Sequence, residues 1–461
     1  MKILLVNPPA PDTRQIWPPL GLLSVSAILK TTGHSTRIFD MLALKAGYSD
    51  LENEIKNFNP DIVGTGYTTP QCQNAKQVIQ VAKKLNRKTI IGGPHPTALP
   101  KESLEETGAD VAYQWEVEHT IAKSIEAVGQ GKLSPDLPGL AYLDSGKLVI
   151  GPQLKPITNL DELPYLDYDE IPFNVYANKQ QTIRFPKNRP MATLVTSRGC
   201  PHKCSFCMNF MGKQWRYKSA GRVLDEIDIL AKKHSVRELW ILDDNFTWKK
   251  ERVLEICEGI QKRNYKFSLR FPNGVRADRV DKEILTALKN IGCYNIAFGV
   301  ESGNQEILDH LGKGERLEQI QKAIATANEL KLLTSGFFVL GLPGETEATI
   351  NDSIKFAKST GLSDASFFIA TPYPGTKLWD MTKGATAQNW NSYDQDALIP
   401  MSCSNKITPE RLVELVRIAN RKFFLRPKVL LHIVKYLFNP ASLGIFKNKL
   451  FNYLGLRTGN V

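Results

Sequence analysis

Two runs of strand-then-helix patterning limit what this chain can fold into. In the first, short apolar stretches bounded by Gly, Pro and Asp lie at Lys2–Asn7, Ser35–Asp40, Asp61–Tyr67, Thr89–Gly93 and Ala109–Tyr113. They alternate with Leu20–Thr31, Ser49–Phe58, Gln71–Lys84, Lys101–Glu106 and Glu118–Val128, whose apolar residues fall at helical spacing. This alternation predicts a doubly wound parallel sheet, which binds ligands beyond the carboxyl ends of its strands. Those ends carry Asn7-Pro-Pro, Gly64-Thr-Gly-Tyr and Gly92-Gly-Pro-His-Pro. The second run places strands at Thr193–Thr196, Glu238–Leu242, Ser268–Phe271, Asn295–Gly299, Gly336–Leu340 and Ser366–Ala370. Amphipathic helices separate them, and six such repeats predict a partial parallel barrel with its chemistry at the same strand ends.

Proline and glycine punctuate residues 131–188, where Gly139–Leu143 and Lys147–Ile150 flank Asp-Ser-Gly as a small hairpin. The expected division is therefore an α/β sheet domain over 1–130, a linker with a hairpin over 131–188, a barrel over 189–385 and a basic helical region over 386–461.

The loop after the first barrel strand holds three of the seven cysteines, Cys200, Cys204 and Cys207. Three thiolates can hold a 4Fe-4S cube by three corners and leave the fourth iron open. A structural zinc site would need a second Cys/His pair nearby, and none follows. Thiolates kept free for metal predict a reducing compartment. The C-x3-C-x2-C spacing, with Phe206 just before the third cysteine, resembles the radical S-adenosylmethionine (SAM) family. The resemblance runs from residue 191 to about 380 through Asp243-Asp-Asn-Phe, Asn273-Gly-Val-Arg-Ala-Asp, Glu301-Ser-Gly-Asn, Gly341-Leu-Pro-Gly-Glu and Thr371-Pro-Tyr-Pro-Gly-Thr. It implies that Cys200, Cys204 and Cys207 bind the cluster. It also implies that Phe206, Asp243, Asp244, Asn245, Glu301, Ser302, Gly341 and Gly344 contact SAM. For Asp244 or Asn245, a helix N-cap is the structural alternative. An external one-electron reductant of flavodoxin or ferredoxin type is implied with it.

In the first block, Pro18-Pro-Leu-Gly-Leu-Leu, Gly33-His, Pro60-Asp-Ile-Val-Gly and Gly92-Gly-Pro-His-Pro together resemble the cobalamin-binding domain that precedes many radical SAM cores. This implies corrinoid contacts at Asn7, Gly64, Gly66, Gly92, Gly93, Pro94 and His95. The chain departs from the pattern twice. It lacks the D-x-H-x-x-G motif, and it reads Trp115-Glu-Val-Glu where relatives often read G-E-G-E. His34 and His95 are expected in turns or on the surface. No G-x-G-x-x-G follows the first strand, which disfavours a nicotinamide cofactor.

Of the formal net charge of +12, +9 lies from Arg411 onward, where ten Lys/Arg face one acid. The body is nearly neutral and offers no aromatic–basic platform, so nucleic acid is not an expected partner. Thr408 caps an expected helix over Pro409–Phe424. Val429–Phe438 is almost wholly apolar and suits a membrane surface or apolar partner, or else docks on the barrel. No window reaches the roughly 20 apolar residues of a membrane span, and the N-terminal apolar run stops at Pro8. The expected location is cytoplasmic, with peripheral membrane contact through the tail. The expected reaction is methylation of an unactivated carbon of a small-molecule or lipid-like substrate. Oxidative cyclisation is the alternative within the family, and a non-catalytic iron–sulfur sensor is the alternative outside it.

Overall fold

The computed structural model describes residues 1–10, 16–153, 155–179, 186–382, 390–393, 401–427 and 429. Its first sheet contains β1 (Lys2–Asn7), β2 (Ser35–Asp40), β3 (Ile62–Gly66), β4 (Lys88–Gly92), β5 (Val111–Tyr113), β6 (Leu140–Asp144) and β7 (Lys147–Ile150). The strand order is β2-β1-β3-β4-β5-β6-β7. Strands β1 to β5 pair in parallel. Ile3, Leu4, Leu5 and Val6 of β1 are at most 2% exposed, because helices cover both faces and the strand is an unbroken apolar run. The order reverses between β1 and β3, which opens a crevice beyond Asn7 and Gly66.

The hairpin β6–β7 does not stand apart. It adds to the sheet, β6 pairing antiparallel to β5 with Ala112 opposite Ala141. A three-residue parallel strand thus gains a partner that covers its open edge. Local pattern locates a hairpin but not the edge it joins.

The barrel begins at β8 (Met191–Leu194). Two-residue strands β9 (Ser197–Arg198) and β10 (Arg216–Tyr217) then pair antiparallel and frame the cysteine loop. It continues through β11 (Glu238–Ile241), β12 (Ser268–Val275), β13 (Cys293–Glu301), β14 (Leu333–Leu340) and β15 (Asp364–Ile369). The order β15-β14-β13-β12-β11-β8 follows the chain, every pair is parallel, and helices link successive strands. This is a partial (β/α)6 barrel. β12 and β13 run four and two residues respectively beyond their expected ends, past register shifts at Phe271/Val275 and Gly299/Glu301.

Helix Pro409–Phe424 is capped by the Thr408 side chain. It buries Leu412, Leu415, Ala419 and Phe423, with the Phe423 ring 6.4 Å from that of Phe367 on β15. It therefore docks on the barrel's last strand. The expected Val429–Phe438 segment lies outside the described residues apart from buried Val429. Among the described residues no helix is long and apolar enough to cross a membrane.

Candidate active site

The cysteine loop is built on a buried carboxylate. Asp243, at the end of β11, accepts hydrogen bonds from the Thr196 N–H and hydroxyl and the Ser197 hydroxyl, each at 2.6 Å. Asp244 accepts from the Gly199 N–H at 3.1 Å, and burial raises its carboxyl above the usual range. Gly199 has φ +82°, and a Cβ there would lie 2.4 Å from the Gln214 carbonyl oxygen. Only glycine fits that turn. Ser205 donates its N–H to Leu311 O at 3.0 Å and accepts from Leu378 N–H at 2.9 Å, so both flanks of the barrel hold the loop's middle. Phe206 packs among Ile307, Leu311 and Leu378.

Cys200, Cys204 and Cys207 are all free thiols. Burial pushes the Cys207 thiol up to about 12, and Cys204, Asp244, Cys200 and Glu301 add to the shift. Burial also raises Cys204, against the opposing charges of Lys313 and Arg276. Among the described residues no three His, Cys, Asp or Glu side chains converge as the shell of one ion. A cube takes one thiolate at each of three iron corners, and the three cysteines of this one loop supply them. The donor set fits a cluster rather than a zinc. Beside Cys200, Asn245 is 1% exposed, and its side-chain amide hydrogen-bonds the Cys200 thiol, which opposes the rise that burial causes there. Asn245 makes no side-chain cap to the turn after it, which removes the capping alternative there.

Beneath the thiols lies a buried charge network that the motif reading did not include. Lys313, 5% exposed, bridges Glu301 at 3.0 Å and Glu315 at 3.3 Å. Burial alone would favour its neutral amine, but the two carboxylates hold it protonated and raise its pKa. Glu315 also accepts from the Ala277 N–H at 2.7 Å. The available signal was Gly312-Lys-Gly-Glu315, a charged pair set in glycines. The other expected residues make contacts of their own. Ser302 meets the Ser353 hydroxyl of the helix Glu347–Ser359 at 3.3 Å. Gly341 abuts Leu412, and its N–H donates to Glu345 at 2.7 Å. A Cβ built at Gly344 would lie 3.9 Å from Ile307.

On the first sheet, Asn7 donates its amide to Asp40 at 2.8 Å. Gly64 is a packing glycine, since a Cβ there would lie 2.8 Å from Ile90. Gly93 has φ +99° and lets the turn meet the Tyr67 backbone, which a Cβ would approach to 2.8 Å. Gly66 and Gly92 are open, with nothing nearer than 3.6 Å to such an atom. That leaves bare backbone at adjoining strand ends, which fits the broad face of a corrinoid. Pro94 starts the short helix Pro94–Ala98. His34 and His95 are not surface residues: they are 8% and 1% exposed. Burial lowers His95 to about 4, and its ring packs edge-on against Trp390 at 4.8 Å.

Trp115-Glu-Val-Glu118 is the joint between the halves. Glu116 pairs with Arg198 at 2.9 Å and Arg216 at 2.5 Å, and Glu118 pairs with Arg198 at 2.8 Å. These arginines belong to β9 and β10, so the first sheet grips the frame of the cysteine loop. A cavity of about 370 Å³ opens there, lined by Trp115, Glu116 and Pro156 on one side and by Cys204, Cys207 and Phe210 on the other. The exposure of Cys207 is into this cavity.

The radical SAM superfamily model matches residues 194–357, and the B12 binding domain model matches residues 12–124. The chain is 34% identical to an uncharacterized methyltransferase of Pyrococcus horikoshii over 94% of each protein. It is 26% identical to an anaerobic magnesium-protoporphyrin IX monomethyl ester cyclase of Rubrivivax gelatinosus, covering 92% of this chain and 78% of that one. The fold matches the radical S-adenosylmethionine methyltransferase TsrM of Kitasatospora setae, solved with tryptophan and a SAM analog. The TM-score is 0.69 at 17% identity, over 96% of this chain and 89% of that one. The chain belongs to the radical SAM enzymes that carry a B12-binding domain ahead of the barrel.

Proposed function

We propose that the protein is a cobalamin-dependent radical SAM methyltransferase acting on an unactivated carbon of a small molecule. One observation carries this reading: two cluster thiols and the joint of the first sheet line the same cavity. When bound, the cluster supplies an electron that cleaves SAM to a 5′-deoxyadenosyl radical, and cobalamin supplies a methyl carrier. Cys200, Cys204 and Cys207 hold the cluster. Asp244 and Glu301 accept from the SAM ammonium, and Asn245 steadies the Cys200 thiol beside them. Asp243 shapes the loop from below, and Lys313 fixes Glu301 in place. Gly66 and Gly92 give the corrinoid its seat.

Free thiols at the site need a reducing compartment, which supports a cytoplasmic location. An external one-electron donor of flavodoxin or ferredoxin type feeds the cluster. A sensor role has no support, since the named relatives are methyltransferases and cyclases. The expected membrane contact and lipid-like substrate rest on Val429–Phe438 and the basic residues from Arg411 onward, of which residues 430–461 lie outside the described residues.

The cyclase relative favours one second reading, oxidative cyclisation without methyl transfer. Anaerobically reconstituted protein, reduced in the presence of SAM and cobalamin, separates the two. A methyltransferase releases S-adenosylhomocysteine together with 5′-deoxyadenosine, whereas a cyclase releases 5′-deoxyadenosine alone. Release of neither product, from protein carrying about four irons per chain, would end both readings.

A further inference from the structure

The cavity at the joint is more basic than its cofactors require. Lys155, Lys203, Lys213 and Lys377 line it, and all four are exposed. Among the described residues Glu116 is its one carboxylate, already engaged by Arg198 and Arg216. None of the four lysines has an ion-pair or hydrogen-bond partner among the described residues. Three thiolates on a cluster and one SAM are together close to neutral, so the lysines' charge remains. Like charges gathered around one space repel unless an anion joins them. None of the residues assigned above to the SAM ammonium lines the cavity, so it lies beside that pocket rather than within it.

The chemistry of the lining narrows the ligand further. Among the described residues no arginine lines the cavity. Ammonium point charges suit a compact, multiply charged phosphoryl group better than a planar carboxylate, which a guanidinium would grip with two bonds. Trp115 stands in the wall at φ +59°, its N–H tied to the Thr97 hydroxyl at 3.1 Å. Such a backbone is costly for a bulky residue and persists where its surroundings impose it. The indole is 39% exposed and lies near-parallel to Phe210, with centroids 6.4 Å apart and planes at 20°. An exposed aromatic wall beside unpaired cations suits a ligand with a flat apolar body and a charged end.

We propose that this cavity receives the substrate, and that the substrate carries a phosphate- or phosphonate-type group held by the lysines and a flat unsaturated body set against Trp115. This rests on the methyltransferase reading and names its substrate class. The phosphodiester of cobalamin offers the same chemistry, so the test must separate the two sources. Radiolabelled phenyl phosphate is titrated into reconstituted full-length protein by equilibrium dialysis, with and without hydroxocobalamin, and phenol serves as the uncharged control.

The expected result is one phenyl phosphate per chain, in both cobalamin states, with phenol bound at least tenfold more weakly. K155Q/K377Q should weaken phenyl phosphate at least tenfold, K155R/K377R should restore it, and W115A should weaken it severalfold. Binding that disappears on cobalamin loading would give the lysines to the cofactor and overturn the proposal. Binding that is absent, or unchanged in K155Q/K377Q, would overturn it as well. The same wild-type preparation is assayed for iron and for SAM cleavage. Success there with no phenyl phosphate bound defeats the substrate class alone, and failure of both defeats the function beneath it.

Discussion

Glu345 shows how a motif residue serves the fold. Its carboxylate accepts from the Gly341 and Leu342 N–H groups at 2.7 and 3.0 Å, and its second oxygen has no partner. Burial raises it from 4.5 to about 7, against those two hydrogen bonds. A carboxyl raised in the folded state contributes stability that is full below pH 4.5 and is lost as pH rises through about 7. Glu345→Gln keeps an oxygen for both N–H groups and cannot ionise. Relative to wild type, the variant should gain roughly 2–3 kcal/mol between pH 5 and pH 8, read as the difference between their urea-denaturation free energies. A difference that does not change with pH would show that the carboxyl titrates normally.

At the scale of elements, the turn Trp115-Glu-Val-Glu118 joins the sheet to the β9–β10 ribbon. Glu116 is 8% exposed and Arg216 3%. Arg216 also donates to Ile157 O at 2.8 Å, and Glu116 accepts the Ile157 N–H at 3.2 Å. Removing one member of a buried pair strands the other's charge, at a cost of about 3–5 kcal/mol. Glu116→Ala should cost that much in chemical denaturation and reduce the iron retained on reconstitution, since the ribbon frames the cysteine loop. A loss below about 1 kcal/mol would place the pair among ordinary surface bridges. Sequence pattern located β1, β2 and the helix Leu20–Thr31 to the residue, because burial on both faces or along one stripe writes its period into the chain. It located Cys200, Cys204 and Cys207 because their spacing is local. It could not show that Glu116 meets Arg216 or that Lys313 lies under the thiols. Those pairings join residues far apart or set in loops, where no period exists. Likewise, His95 reads as a turn residue, and the packing of Tyr67 and Trp390 against it explains its burial.

At the scale of the molecule, residues 131–188 read as a linker, and linked domains ordinarily move independently. The packing argues otherwise. One hydrophobic cluster runs from Ile3 and Leu5 through Tyr168, Ile171 and Tyr176 to Ala192 and the barrel. Tyr168 donates its hydroxyl to Thr193 O at 2.9 Å, and Tyr176 donates to Asp40 at 2.5 Å. The intervening segment therefore acts as mortar between the two sheets. The chain then returns after the barrel: the Trp390 indole N–H donates to Glu106 at 3.1 Å, and its ring packs on His95. Held at the joint, through the middle and by this return, the two sheets should unfold together. Urea denaturation followed by far-ultraviolet circular dichroism and by tryptophan fluorescence should give coincident transitions. Trp390→Ala removes a large buried ring and should lower stability by about 3–5 kcal/mol. Because the cluster from Ile3 to the barrel stays intact, the two probes should still coincide in the variant. If they separate in the wild type, the halves fold alone; if they separate only in Trp390→Ala, the return segment and not the shared core couples them. A joint that cannot drift keeps the cavity between the turn Trp115–Glu118 and the cysteine loop at a fixed width, as a site built from two sheets needs.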